Sequence, residues 1–267
     1  MSYSPTQFSG LSSLFKVDLK LFVLVMLIVI IGLATLFSVS GGDVNLIIKQ
    51  LIRIAVGLTA MIILAQIHPD NFRLFSPFLY FFGIILLVLT IFFGVGKSAD
   101  RWLDFYILRF QPSELMKLFV PLMIASFYSD KALPPKLKNL AIAVIIIIVP
   151  ALLIAKQPDL GTALLITSSG VIAIFLSGIK LAHIFLGTAL VIGAIPLLWS
   201  FMYEYQKSRV LSFFSPNTDT LGTGYHLAQS KISLGSGGLF GKGYMNGTQS
   251  QLDFLPENHT DFIFSAF

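Results

Sequence analysis

Polar segments between long apolar runs carry the residues best placed to do chemistry. The last of them contains Glu257, His259 and Asp261, and Asp261 stands where it meets a final apolar run. A carboxylate that is partly desolvated at such a boundary is suited to act as a general base on a substrate hydroxyl. A helix cap is the alternative for Asp261. The spacing of the three residues matches no recognisable zinc-ligand pattern, so we predict no metal site.

A second polar segment follows the third apolar run and contains Arg101, Trp102, Arg109, Glu114 and Lys117. Glu114 and Lys117 are three residues apart and share a helix face close to the membrane, where an unpaired charge is costly. An ion pair that only orders the helix bundle would explain them equally well. An interfacial anchor of the kind common at membrane boundaries would explain Arg101 and Trp102.

A charged break between the fifth and sixth apolar runs reads Lys156-Gln157-Pro158-Asp159. A lysine beside a helix N-terminus can hold an anion, whereas an aspartate there can simply cap the helix. If the apolar runs alternate across a membrane, this break lies on the same side as Arg101. We therefore treat Lys156 and Asp159 as candidate substrate-binding residues.

Long apolar runs must position these segments. The chain of 267 residues is 55% hydrophobic and 12% charged, whereas soluble domains are about 25% charged. Runs of about 20 apolar residues satisfy their backbone hydrogen bonds in a bilayer as helices. The sequence predicts an all-α, polytopic membrane bundle with seven spans at residues 19–39, 46–67, 74–95, 112–128, 139–155, 161–179 and 182–202, and the start of an eighth at 261.

The distribution of charge predicts the orientation of the bundle. Lysines and arginines near residues 16–20, 73, 131–138 and 180 fall on one side, which predicts a cytoplasmic N-terminus. Residues 203–260 then form a large extracytoplasmic loop within a single membrane domain, 1–267. The formal net charge of +5 is scattered, which argues against nucleic acid as a partner and favours lipid headgroups and phosphorylated lipids.

Five motifs together resemble the SEDS family of shape, elongation, division and sporulation proteins, and their order and spacing match over the whole chain. They are Arg101-Trp102, Gln111-Pro-Ser-Glu114, Gln157-Pro-Asp-Leu-Gly-Thr162, Gly235-Ser-Gly-Gly238 and His259-Thr-Asp-Phe262. The segment from Gly247 to Glu257 is more similar to the elongation branch of the family than to the division branch, which stays the close alternative.

The resemblance implies a ten-helix fold in the bacterial inner membrane, peptidoglycan glycosyltransferase activity on lipid II, and a class B penicillin-binding protein as the transpeptidase partner. The family's essential loop aspartate falls on Asp261 and its important loop tryptophan on Trp102. Its buried Glu and Lys pair falls on Glu114 and Lys117. The remaining matched positions, whose individual roles the resemblance leaves open, are Arg101, Arg109, Lys156 and Asp159.

Other functions remain open from the sequence. A lipid II flippase or transporter would use charged groups such as Glu114 and Lys117 within the membrane, and a scaffold would position a transpeptidase without catalysis. A divalent cation, Mg²⁺ or Mn²⁺, is an alternative source of positive charge for the leaving pyrophosphate. Because the chain stops where an eighth helix would begin, three family helices are expected to be missing, and an inactive fragment is a further alternative.

Overall fold

The computed structural model describes residues 17–96, 101–104, 109–214, 223–238, 240–247 and 259–267. The helices are α1 (Leu19–Val39), α2 (Val44–Gln66), α3 (Pro69–Phe93), α4 (Pro112–Ser129), α5 (Leu137–Lys156), α6 (Leu160–Leu176), α7 (Leu181–Phe201), α8 (Glu204–Phe214), α9 (Thr223–Gly237) and the short α10 (Ile263–Ala266). Strands β1 (Leu103–Asp104) and β2 (Arg109–Phe110) form an antiparallel hairpin between α3 and α4.

Capping residues set where the apolar helices begin. Asp18 accepts hydrogen bonds from two backbone N–H groups at the start of α1, and Asp43 does the same at the start of α2. Each carboxylate satisfies donors that the first turn of a helix leaves without a partner. Pro69 and Pro112 occupy the first turns of α3 and α4, where the missing N–H costs nothing.

The predicted all-α membrane fold is confirmed, because each of the seven predicted spans coincides with a helix to within about five residues. By length and composition, α1, α2, α3 and α5 are the helices in the described ranges that can cross a membrane. The apolar helix α6 and the apolar part of α7, Leu181–Leu197, are shorter. The protein is a multi-pass membrane protein.

Two regions that the sequence pattern assigned to loops contain regular structure. Helices α8 and α9 lie within the predicted loop 203–260, and the β1–β2 hairpin lies in the segment before α4. Helix α8 has a hydrogen-bonded ion pair between Lys207 and Glu204, three residues apart, and such pairs stabilise polar helices. Helix α8 is polar, and α9 is polar and contains glycine, so neither gives an apolar run for a hydropathy pattern to detect.

The chain divides into two compact units, and the prediction of a single membrane domain stays a prediction. Unit one contains Met1–Ile67 and Met202–Phe267, and unit two contains His68–Phe201. In unit two, Met116, Val120 and Ile124 form a fully buried stripe along α4, at the four-residue spacing of one helix face. The stripe belongs to a core shared with α3, α5 and α6.

In unit one, hydrogen bonds join residues 244 and 245 to α1, and join α9 to α10. The Tyr244 hydroxyl donates to the Ala34 carbonyl of α1 over 3.3 Å, and the Met245 amide donates to Ser38 Oγ over 2.9 Å. On α9, Ser233 Oγ donates to the carbonyl of Ser265 in α10 over 2.8 Å. These contacts hold the residues just after Asp261 against α9.

Gly170 of α6 lies where a larger side chain has no room. Small residues let membrane helices pack closely. A Cβ atom added at Gly170 would lie 2.5 Å from Cγ1 of Ile147 in α5, which is too close unless the Ile147 side chain or one of the two helices shifts. We expect Gly170→Ala to lower the free energy of unfolding by about 1–3 kcal/mol. The matched control is Gly161→Ala in the same helix, where a Cβ meets nothing within 4 Å. Thermal unfolding in detergent compares the two variants, and equal midpoints would contradict the packing argument.

Candidate active site

Arg101 holds the charged break between α5 and α6 in place. Its Nε donates to the carbonyl of Gln157 over 3.2 Å, and its Nη2 donates to the carbonyl of Pro158. Its Nη1 also lies 3.9 Å from Oδ1 of Asp159, and only 27% and 13% of the two side chains are exposed. The prediction that these two segments lie on the same side is therefore confirmed as direct contact.

Asp159 is engaged on both carboxylate oxygens. Oδ1 accepts a hydrogen bond from the Thr162 backbone N–H over 3.3 Å, which caps α6. Oδ2 accepts from Nε2 of Gln111 over 3.0 Å, and the same Nε2 donates to Ser113 Oγ over 2.8 Å. The capping role considered for Asp159 is what the structure shows, together with a bridge to the start of α4.

Sequence reasoning quoted Gln111 and Gln157 in motifs but did not select them as site residues. Gln157 is buried, and its Nε2 donates to the Leu87 carbonyl of α3 over 3.0 Å. Both glutamines directly precede a proline: Pro112 begins α4, and Pro158 lies in the break between α5 and α6. Because the residue before a proline avoids helical geometry, the repeated Gln-Pro pattern was the available signal for two side chains that join neighbouring segments.

Two further pairs of candidates are joined by ion pairs. Arg109 Nε lies 2.8 Å from Oδ2 of Asp104, directly across the β1–β2 hairpin. Lys117 Nζ lies 2.7 Å from Oε1 of Glu114, as the helical spacing predicted. Both side chains are partly exposed among the described residues, 54% for Glu114 and 34% for Lys117, and the burial of the pair that the resemblance implies stays a prediction. The pair lies in the first turns of α4, outside the packed stripe of that helix.

Trp102 and Lys156 are exposed at the same end of unit two. Trp102 is 42% exposed and its backbone forms a two-way bridge to Val95, just after α3. Lys156 lies in the last turn of α5, where the helix dipole favours a cation. Within the described ranges, no carboxylate forms an ion pair with Lys156. The amine of Lys156 is thus available to an anionic ligand.

Asp261 lies in unit one, whereas the other seven candidates lie in unit two. Its side chain is exposed among the described residues, and its partial desolvation at the boundary of the apolar run stays a prediction. Phe262 is the N-cap of α10, so Asp261 does not cap that helix. Its carboxylate makes no hydrogen bond or ion pair to the described residues, which leaves it available to a substrate. Glu257 lies outside the described residues.

In the part of the chain that the structure describes, no group of three or more histidine or acidic side chains could hold a metal ion.

Comparisons with known proteins identify the family of the chain. Residues 13–267 match the family model FTSW_RODA_SPOVE, described as cell cycle protein. The peptidoglycan glycosyltransferase MrdB of Escherichia coli K12 is 47% identical over 251 residues, covering 93% of this chain and 68% of MrdB. The probable peptidoglycan glycosyltransferase FtsW of Aromatoleum aromaticum is 35% identical over 228 residues, covering 82% of this chain and 54% of that protein.

Two solved structures share the fold. A chain from a peptidoglycan synthase complex superposes with a TM-score of 0.75 at 29% identity, covering 93% of this chain and 69% of the other. The rod-shape-determining protein RodA of Thermus thermophilus gives a TM-score of 0.57 at 27% identity, covering 66% of this chain and 58% of RodA. The match to the family model over almost the whole length confirms the resemblance in the motifs: the chain belongs to the FtsW, RodA and SpoVE family of cell cycle proteins, the SEDS family.

Proposed function

We propose that the protein is a peptidoglycan glycosyltransferase that polymerises lipid II into glycan strands for cell-wall elongation. The observation that carries the proposal is the exposed Asp261 carboxylate, which makes no structural contact in the described residues and stands at the boundary of the last apolar run. The 47% identity to MrdB supports the elongation branch over the division branch, since the match to FtsW is 35% identical.

In the proposed reaction, Asp261 removes the proton of the 4-hydroxyl of the acceptor GlcNAc. The oxygen attacks the anomeric carbon of the donor MurNAc, and the bond from that carbon to the pyrophosphate oxygen breaks. Undecaprenyl pyrophosphate leaves with the bonding electron pair, and inversion at the anomeric carbon gives a β-1,4 link. Both lipid tails stay in the bilayer during the exchange.

The leaving pyrophosphate needs positive charge, because stabilising developing charge is usually the largest catalytic contribution. Arg109 is paired with Asp104, and Arg101 already binds two carbonyls and Asp159. Lys156 is exposed and makes no ion pair in the described residues. We therefore assign Lys156 to the pyrophosphate, while Arg101 positions the segment that carries it.

The proposal places the protein in the bacterial inner membrane with its N-terminus in the cytoplasm and the Asp261 segment outside. The positive-inside distribution of lysine and arginine supports this orientation. A class B penicillin-binding protein is the proposed transpeptidase partner, and the similarity to a chain of a peptidoglycan synthase complex supports an assembly of this kind.

A polymerisation assay tests the proposed function against lipid II transport. Purified protein, and a version extended to the length of MrdB, are incubated with labelled lipid II and a class B penicillin-binding protein. We expect long glycan strands from the extended version, because this chain covers 68% of MrdB. The same samples in vesicles report movement of lipid II across the bilayer. Movement of lipid II across the bilayer without synthesis of glycan would contradict the glycosyltransferase function and favour a flippase.

A further inference from the structure

The end of unit two opposite Arg101 has an excess of exposed basic residues. Arg73 at the start of α3 pairs with Asp130 at the end of α4, and Tyr128 of α4 contacts Asn139 of α5, so these helix ends lie together. The α6–α7 turn with Lys180 lies at the same end, because α6 packs antiparallel to α5. We call the segment 131–138, together with Lys180, the basic end.

Charge at the two ends of unit two is handled differently. At the Arg101 end, Arg101, Arg109 and Lys117 each face a carboxylate, and Lys156 is the exposed lysine that forms no ion pair in the described residues. At the basic end, the one ion pair with a lysine or arginine that the described residues form joins Arg73 to Asp130. Asp130, the acidic residue next to the lysines in the sequence, is therefore already paired with Arg73. Lys136, Lys138 and Lys180 stay exposed, and no acidic residue lies in the first turn of α5.

The side chains of the basic end combine exposed apolar groups with exposed amines. Lys131 Nζ lies 4.2 Å above the centre of the Phe127 ring, which fixes the base of the segment. Leu133 and Leu137 are 57% and 62% exposed and alternate with the lysines. Exposed leucines beside lysines fit a surface whose apolar groups enter the acyl region while the amines stay among the headgroups.

We propose that the basic end binds the phosphate headgroups of anionic phospholipids in the bilayer, through Lys136 and Lys138 with Lys180 as a further contact. Clusters of basic residues beside a membrane helix attract anionic lipids, each lysine near the surface strengthening binding about 5-fold. The charge complementarity selects anionic over zwitterionic lipid. This binding does not depend on the proposed reaction, because the residues involved take no part in it.

The test titrates the whole purified protein, in neutral detergent, with phosphatidylglycerol or phosphatidylcholine and measures retained lipid by native mass spectrometry. Lys136→Gln/Lys138→Gln should bind phosphatidylglycerol about 25-fold more weakly than the unchanged protein. The charge-matched control, Lys49→Gln/Lys231→Gln, removes two exposed lysines of unit one and should bind as the unchanged protein does. Lys136→Arg/Lys138→Arg keeps both charges and should keep the affinity.

Several outcomes would overturn the proposal. Equal affinity of the Lys136→Gln/Lys138→Gln protein and its control would show that the basic end contributes nothing. Loss of binding in the arginine variant would show that charge is not the cause. Competition with inorganic phosphate separates the source of the anion: full displacement of the lipid at equal concentration would assign the surface to free phosphate instead of a bilayer.

Discussion

Asp261→Asn is expected to abolish glycan polymerisation while leaving the protein folded. Asparagine has nearly the same shape but cannot accept the proton of the acceptor hydroxyl, and loss of a general base lowers turnover by about 100-fold to 10,000-fold. The Asp261 side chain is exposed and forms no hydrogen bond or ion pair with the described residues. Its replacement therefore removes no structural contact seen there, and the melting temperature should stay unchanged.

The measurement is strand length and initial rate with labelled lipid II, on the version extended to the length of MrdB. Glu204→Gln is the matched control, because Glu204 is an acid of the same predicted extracytoplasmic stretch, is 91% exposed and pairs only with Lys207 within the described residues. That control should polymerise normally. Long strands from Asp261→Asn would remove Asp261 from the role of base, even if the chain proves to be a glycosyltransferase.

Apolar helices were predictable from the sequence because their signal is local. A run of about 20 apolar residues has one stable state in a bilayer, and caps such as Asp18 and Asp43 mark where it begins. Helices α8 and α9 were not predictable in this way, since neither is an apolar run, and α9 makes contacts such as that of Ser233 with Ser265, which are distant in sequence.

In the candidate site, too, local features were predictable from the sequence and contacts between distant residues were not. Parity of the spans was enough to place Arg101 and Asp159 on one side of the membrane. Which carboxylates already have partners depends on side chains distant in the chain, so the sequence left helix capping open for both Asp159 and Asp261. The structure separates them: Asp159 caps a helix and binds Arg101 and Gln111, whereas Asp261 makes no such contact in the described residues.

Arg101→Ala is expected to lower both stability and activity. The replacement leaves the carbonyls of Gln157 and Pro158 without their donor and the mostly buried Asp159 without its cation. Hydrogen bonds to a charged group are worth about 1.5–3 kcal/mol each, so we expect a loss of about 3 kcal/mol in the free energy of unfolding. Displacement of the segment that carries Lys156 by about 1 Å would lower kcat about 100-fold.

Arg109→Ala is the matched control for stability, because its ion pair with Asp104 is mostly exposed on the arginine side, and such pairs contribute about 1 kcal/mol or less. Arg101→Lys separates charge from geometry: an ammonium keeps the charge near Asp159 but lacks the planar donors that bind both carbonyls. We therefore expect Arg101→Lys to recover part of the stability and little of kcat. Full recovery of kcat by lysine would show that Arg101 acts as a charge, and the positioning role would then be wrong.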